Sequence, residues 1–468
     1  MRTLAYAYFC KSNNLNSFLN SAPLAQMKFS LLLLTVLITF VSANAQIGDS
    51  TKLPFAIANE KKMSEDDLKN KKEGAYFTGI PDLSSDPVNG FGYGAEGSVY
   101  FNGKRSDPFF AYSAYRAKID LTLFNTTRSQ REMMLRLDVP YILNTKWRLR
   151  VEAGYESNPN LLYFGNTEKT LGGLSYYPNG DSSKALVNNA KYSDYENSLK
   201  GANIFFNTYI KQEYILNVSG ERSFMEGKVR ALVGFEMAQV NIKTFAGNSL
   251  LVNDFSQKKI LGVGKGLVSF LQLGLIYDTR DLETDPGQGV FAELTNELSL
   301  KKLGSAYNCN KTFAHFNIYQ NLFPKYSKKL VLAFRTAGGY TAGNAPFFEY
   351  QDQWSSEGSI EGLGGAHTLR GYKQSRFMSR VMTFNNLELR YRFAQTNILN
   401  QHLAFGAVPF FDAGGIWDKM PRNLNFNNYR ISEGLGFRIV WNVNTVMRFD
   451  YAISKEDHQF FFNFAHTF

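Results

Sequence analysis

From Gly90 onward the chain alternates between apolar and polar positions with a period of two over most of its length. Between residues 383 and 393, Leu387, Leu389, Tyr391 and Phe393 fall on one face, and Asn386, Glu388, Arg390 and Arg392 on the other. Near the end, Met447, Phe449, Tyr451 and Ile453 oppose Arg448, Asp450, Ala452 and Ser454. Side chains alternate across a strand, so each such segment predicts a β-strand with one apolar and one polar face. The pattern gives strands near 74–81, 91–102, 110–124, 131–139, 147–156, 202–217, 226–243, 267–280, 288–300, 311–323, 328–340, 381–394, 402–413, 431–441, 445–454 and 459–468, about sixteen in all.

Alternation alone fits a soluble sandwich as well as a membrane barrel, and the connections decide between them. One set is short or turn-like (102–109, 140–146, 221–225, 323–327, 395–401 and 442–444), while most of the alternate set is long (157–201, 244–266, 341–380 and 414–430). Short periplasmic turns, long external loops and an even strand count mark an outer-membrane barrel. The chain closes on an aromatic strand in which Phe462, Phe464, His466 and Phe468 share one face. A last strand of this kind can pair with the first and remove both sheet edges. The expected fold is therefore all-β, a transmembrane antiparallel barrel of about sixteen strands.

Composition agrees. An aromatic content of 15%, 38 glycines and a mean hydropathy of −0.27 suit amphipathic strands better than helical spans. The one long apolar run follows Met27: Lys28, then Leu31 to Val41, then Ala43-Asn44-Ala45, the layout of a signal peptide with its cleavage site. Three units are expected: an N-terminal extension plus signal peptide (1–45, the signal being 27–45), a short charged periplasmic segment (46–73), and the barrel (74–468). Residues 1–26 lie upstream of the signal, which makes Met27 the expected initiator.

The formal charge is +10, and removing Arg2, Lys11 and Lys28 leaves 10 − 3 = +7. Basic residues are interspersed with acids, so no nucleic-acid footprint is present. Cleavage would remove Cys10 and leave Cys309, read as a loop thiol, without a disulfide partner. The five histidines are dispersed, so no metal or cofactor is expected. Gly92, Gly94 and Gly97 match a dinucleotide fingerprint formally but alternate within a strand, where they allow close backbone approach or a loosely packed seam. No nucleophile elbow or catalytic triad emerges, and no enzyme activity is expected.

Four segments carry chemistry of another kind: Tyr277-Asp278-Thr279-Arg280-Asp281 followed by Pro286 and Gly289; Leu369-Arg370-Gly371-Tyr372; Phe410-Phe411-Asp412-Ala413-Gly414; and the terminal Phe strand. Together they resemble the BamA/TamA-type superfamily of outer-membrane insertases and two-partner-secretion transporters, the bacterial surface antigen family, over roughly residues 73–468. The resemblance implies that Tyr277, Asp278, Arg280 and Asp281 form the family turn, that Phe462, Phe464 and Phe468 form an assembly signal, and that the loop bearing Arg370 folds back into the lumen. Strand parity independently puts Glu388 and Asp412 on the inner wall, where a loop guanidinium can bind both. Arg370, Gly371, Tyr372, Glu388 and Asp412 are thus the expected lumen tether, with Arg390, Arg392, Arg448 and Asp450 as lumen lining. The Asp278–Asp281 segment also reads as an ordinary solvated turn.

Family members usually carry POTRA domains before the barrel, and residues 46–74 are too few for one. The chain resembles POTRA-less, Bacteroidetes-type members. The expected function is assistance to protein insertion or translocation through a weak seam and an internal loop; the alternative is a pore or structural accessory barrel without insertase activity. Expected partners are outer-membrane lipid and lipopolysaccharide, and client outer-membrane proteins or periplasmic accessory subunits.

Overall fold

The computed structural model describes residues 52–57, 62, 68 and 71–468, except 114, 179–180, 201–202, 282–283, 324–329, 399–400, 424–425 and 442–444. The signal peptide and most of the charged segment lie outside the described residues.

The early strands are β1 (Ala75–Asp86), β2 (Gly90–Phe101), β3 (Ala117–Thr126), β4 (Arg131–Val139) and β5 (Trp147–Leu162). A small pair, β6 (Leu174–Tyr176) and β7 (Val187–Ala190), follows in a long loop. The middle of the chain forms β8 (Thr208–Phe224), β9 (Val229–Thr244), β10 (Gly264–Asp278), β11 (Gly289–Ser299), β12 (Asn308–Asn321) and β13 (Leu330–Asn344). A second small pair, β14 (Asp352–Gln353) and β15 (Ile360–Glu361), precedes β16 (Val381–Ile398), β17 (Gln401–Trp417), β18 (Tyr429–Trp441), β19 (Thr445–Ser454) and β20 (His458–Phe464). Apart from the two small pairs, the strands join in chain order into a closed antiparallel barrel of sixteen. Short helices α1 (Tyr192–Leu199) and α2 (Leu250–Ser256) sit in long loops.

The barrel turns its apolar rows outward. On β10, Leu271, Leu273, Leu275 and Tyr277 are exposed while Phe270, Gln272 and Ile276 are buried inside. This is the inverse of a soluble sheet, and it places the outward row against lipid. The inside is filled by the β13–β16 connection, residues 345–380. Its Phe347, Phe348 and Tyr350 pack with Tyr209, Val240 and Phe270 of the wall, and its Leu363, Leu369 and Phe377 with Phe313, Phe384 and Ile416.

Several expectations are corrected in detail. Residues 110–113, 115 and 116 are not strand: Asp107 caps a 3-10 turn, Pro108–Ala111, by accepting from Phe109 N, and β3 begins at Ala117. β1 runs past Pro81 to Asp86, since a proline costs little on a strand that is a free edge over most of its length. Cys309 is not a loop thiol but a buried residue of β12. Gly92 and Gly94 do not loosen the sheet, because β2 and β3 pair continuously from Gly92–Thr126 to Phe101–Ala117. They make room instead: a Cβ on Gly92 would lie 2.2 Å from the Phe124 ring, and one on Gly94 2.2 Å from Leu123 O.

The largest correction concerns the end of the chain. β20 stops at Phe464, and Ala465 adopts a left-handed φ of 65°, which turns the last residues inward. Phe468 therefore does not share the lipid face of Phe462 and Phe464; its ring packs inside against Tyr319, Val331 and Ala333.

Candidate functional site

Arg370 sits at the base of the internal loop with no exposed side-chain surface. Its Nε and Nη2 donate to the two oxygens of Asp412, at 2.9 and 2.8 Å, and its backbone N adds a 3.2 Å bond to Asp412 Oδ2. Nη1 donates to Glu388 Oε1 at 2.7 Å, Asp450 Oδ2 at 3.2 Å and Thr467 Oγ1 at 3.1 Å. The plane of the guanidinium lies over Phe410, 3.4 Å from the ring centroid. Burying this charge is costly in itself, and the forked carboxylate bonds and the aromatic face offset that cost.

The geometry explains why each motif has its residues. Gly371 is needed for close approach, since a Cβ there would fall 2.7 Å from the Ile453 backbone and from Ser432 Cβ. Tyr372 is buried and meets Phe377 edge-on at 5.1 Å, anchoring the loop beyond the turn. In Phe410-x-Asp412-x-Gly414, the ring supports the guanidinium and the carboxylate binds it. The glycine lets Leu363 pack close, because a Cβ there would meet Leu363 Cδ1 at 3.1 Å.

The network extends beyond the expected tether. Asn386 donates to Asp412 Oδ1 at 2.7 Å, Arg390 Nε to Glu388 Oε2 at 2.9 Å, and Arg438 Nη1 to Asp450 Oδ1 at 2.6 Å. Asp450, read from the sequence as lining, is thus a direct partner of Arg370. The inturned tail completes the group: Thr467 Oγ1 also accepts from Arg448 Nη1 at 2.6 Å, and Phe468 O accepts from Arg390 Nη2 at 2.7 Å. Nearby His367 is held down to about 3 by burial, reinforced by Arg448, Arg335 and Arg370, so it stays neutral beside these cations.

The turn motif contacts the same assembly. Tyr277 faces lipid, whereas Asp278 is buried and accepts from Arg280 Nε and Nη2, both at 3.0 Å, and from Arg230 Nη2 at 3.2 Å. Arg280 Nη2 also donates to Glu357 Oε1 of the internal loop at 2.6 Å. Asp281 Oδ1 accepts from Gly287 N at 2.9 Å and holds the turn shut; Gly289, at φ 112°, leaves no room for a Cβ, which would strike Thr279 O at 2.4 Å. Asp285 of the same turn pairs with Arg392 and with His466 Nε2 of the tail, the latter at 3.0 Å. One turn therefore touches both the internal loop and the residues that follow β20.

A second set of bonds ties the loop to β11 and β12 and to the β19–β20 turn. Lys311 Nζ lies 2.6 Å from Glu349 and 2.8 Å from Glu297, and Glu293 accepts from Ser355 Oγ at 2.6 Å. Arg376 donates to both oxygens of Glu456 at 2.8 Å. Among the described residues, no group of three or more His, Cys, Asp or Glu side chains is arranged to hold a metal ion.

β1 and β20, which close the barrel, share one aligned pair among the described residues, Ser85 with Phe462. By contrast β1 and β2 share twelve, from Ala75–Phe101 to Asp86–Gly90, and β19 and β20 share seven, from Met447–Phe464 to Ile453–His458. The antiparallel register explains the difference. Ser85 stands near the end of β1 and Phe462 near the end of β20, so most of β1 extends past the point where β20 has turned inward.

Comparison with known proteins bears on this architecture. The Omp85 superfamily domain matches residues 91–468, and a domain of unknown function (DUF5982) matches 53–116. No curated protein sequence gives a significant match. Among solved structures, BamA from Haemophilus ducreyi lacking POTRA domains 1–3 is similar at 14% identity and a TM-score of 0.51, over 83% of this chain and 70% of that one. CdiB from Escherichia coli is similar at 9% identity and a TM-score of 0.51, over 83% of this chain and 62% of that one. At these identities the likeness is one of fold, and this chain spans less than two thirds of the CdiB chain.

Proposed function

Since the chain belongs to the Omp85 superfamily and forms an outer-membrane barrel of the BamA and CdiB fold, we propose that it assists insertion or translocation of proteins at the outer membrane. The observation that carries this reading is the single aligned pair between β1 and β20. A strand edge with unpaired N–H and C=O groups is a template for another strand, and a client strand can add there by β-augmentation. The loop network around Arg370 would keep the lumen closed while the seam exchanges partners. No chemical catalysis is involved. Clients would be other outer-membrane proteins, delivered directly or by periplasmic accessory subunits.

Stapling the seam tests this. Aligned antiparallel residues lie within disulfide reach, so Ser85→Cys with Phe462→Cys, in a Cys309→Ser background, can be cross-linked. Oxidised protein in proteoliposomes should lose the capacity to fold a client barrel and regain it on reduction. Equal client folding with the seam locked and unlocked would refute the proposal.

One observation favours the alternative, a pore or accessory barrel. A cavity of about 330 Å³ lies between loop residues 354–359 and wall residues including Lys118, Asp120, Arg136 and Glu236. A steady conductance in planar bilayers, unchanged by the seam cross-link and unaccompanied by client folding, would support it.

A further inference from the structure

The chain ahead of β1 is anchored by a buried lysine. Asp107 and Pro108 start the 3-10 turn Pro108–Ala111, and the carbonyls at the far end of such a turn have no partner within it. Lys71 supplies a donor there: its Nζ donates to Phe110 O at 2.7 Å and to Ser113 O at 2.6 Å, and lies 4.0 Å from the centre of the Phe110 ring. Asn102 Nδ2 donates to Lys72 O at 2.7 Å, while Arg105 donates to Lys71 O and Leu68 O, both at 3.1 Å. Further towards the N-terminus, the Phe55 ring packs on Phe109 at 5.6 Å and on Tyr141 of the β4–β5 connection at 5.8 Å. The matched domain of unknown function, residues 53–116, contains both parties to most of these contacts and ends where β3 begins. It comprises a strap, the β1–β2 hairpin and the connection on which the strap docks.

That connection stands at one end of the 330 Å³ cavity. Ser113 Oγ donates to Tyr115 O, and Tyr115 Oη donates to Asp138 Oδ2 at 2.8 Å. Asp138 is on the inner face of β4, since Met133, of opposite parity, is exposed on the outer one. Bonds therefore run without a break from Lys71 through Ser113 and Tyr115 to the inner wall. Tyr115 and Asp138 both line the cavity, and Asp138 is the penultimate residue of β4, at the short-turn end of the barrel. From there the cavity reaches Asn217 and Glu236, near the middle of β8 and β9, and Trp354 to Ser359 of the internal loop bound it on another side. Its wall carries both signs of charge, Lys118, Arg136 and Arg150 against Asp120, Glu152 and Glu236, so it is a polar space.

We propose that the β2–β3 connection is a door at the periplasmic end of this cavity and that the strap is its bolt. With Lys71 and Phe55 docked, Tyr115 stays latched to Asp138 and solutes from that end are kept out; release of the strap frees the connection and opens the cavity. Removing the Lys71 ammonium strands two carbonyls, which weakens the docked arrangement relative to one in which water reaches them. The inference concerns the lumen and does not depend on client insertion at the β1–β20 seam.

The test measures how fast a bulky, membrane-impermeant maleimide reaches the cavity in the full barrel in detergent micelles. The reporter is Ser219→Cys in a Cys309→Ser background, because Ser219 lines the cavity. With the strap intact the reporter should react slowly, and Lys71→Met and Phe55→Ser should each raise its rate at least tenfold. Lys104→Gln, which removes an exposed charge from the same connection, should leave the rate unchanged. Protein keeping the native Cys309, buried in β12, as its reporter detects general loosening and should label slowly in every variant. Heat-modified gel mobility checks that each variant is folded. Fast labelling at residue 219 with the strap intact would overturn the proposal, as would unchanged rates in Lys71→Met and Phe55→Ser. An equal rise at Cys309, or in Lys104→Gln, would overturn it too.

Discussion

Arg370→Ala removes one cation from a group in which Glu388 and Asp412 have no exposed side-chain surface and Asp450 has 1%. Breaking a buried ion pair by deleting one partner costs about 3–5 kcal/mol, because the other partner is left charged and desolvated. Here Arg390 still reaches Glu388 and Arg438 still reaches Asp450, but Asp412 loses both of its forked bonds and keeps Asn386, the backbone N of residue 370 and a long 3.5 Å bond from Ser432 Oγ. A loss of about 3–5 kcal/mol is expected on that basis. Arg392→Ala is the comparison: its side chain is 37% exposed, and an exposed pair is worth about 1 kcal/mol or less. Guanidinium unfolding in micelles, followed by tryptophan fluorescence and gel mobility, measures both. Adding Asp412→Asn to Arg370→Ala should recover part of the loss, since the orphaned charge is then gone. The reasoning fails if Arg370→Ala costs no more than Arg392→Ala, or if Asp412→Asn deepens the loss by its full single-variant value.

Three further outcomes are expected. Gly371→Ala forces a Cβ to within 2.7 Å of the β19 backbone and should cost about 1–3 kcal/mol in the same unfolding assay, without any change of charge. Arg280→Ala should loosen the internal loop around Glu357 and raise hydrogen exchange there, whereas Arg222→Ala, whose side chain lies over Trp147 and Phe224, should not. Lowering the pH from 6.5 towards 3 protonates His367 only in the unfolded chain, because its folded value is held down to about 3, so stability should fall across that window. His367→Gln should flatten the fall, visible as a smaller shift of the denaturation midpoint between pH 7 and pH 4.

The strand count and the inward position of Glu388 and Asp412 could be read in the sequence because both follow from local period-two parity. Asp450 could have been found in the same way. It is a carboxylate on the inner face of β19, but parity places it on a wall without saying which wall residues meet. Thr467 and Phe468 were illegible for a different reason. Alternation continues formally through Phe468, and only the left-handed Ala465, required by no local residue preference, turns the tail inward. The Arg280–Glu357 contact spans 77 residues and joins a turn to a loop, two elements without periodicity. The seam was expected to be weak because of glycines in β2, but its weakness arises in the register of β1 against β20.

Arg370 precedes every side chain it binds, by 18 residues for Glu388, 42 for Asp412, 80 for Asp450 and 97 for Thr467. The group around Arg370 is complete only when β16, β17, β19 and the segment after β20 are all in place. Loop closure over such separations is entropically opposed until the contacts that reward it exist. A molecule cut short before Thr467 would leave Arg370 with an unfinished set of bonds, and faster proteolysis of its interior than in the full chain is the expected outcome.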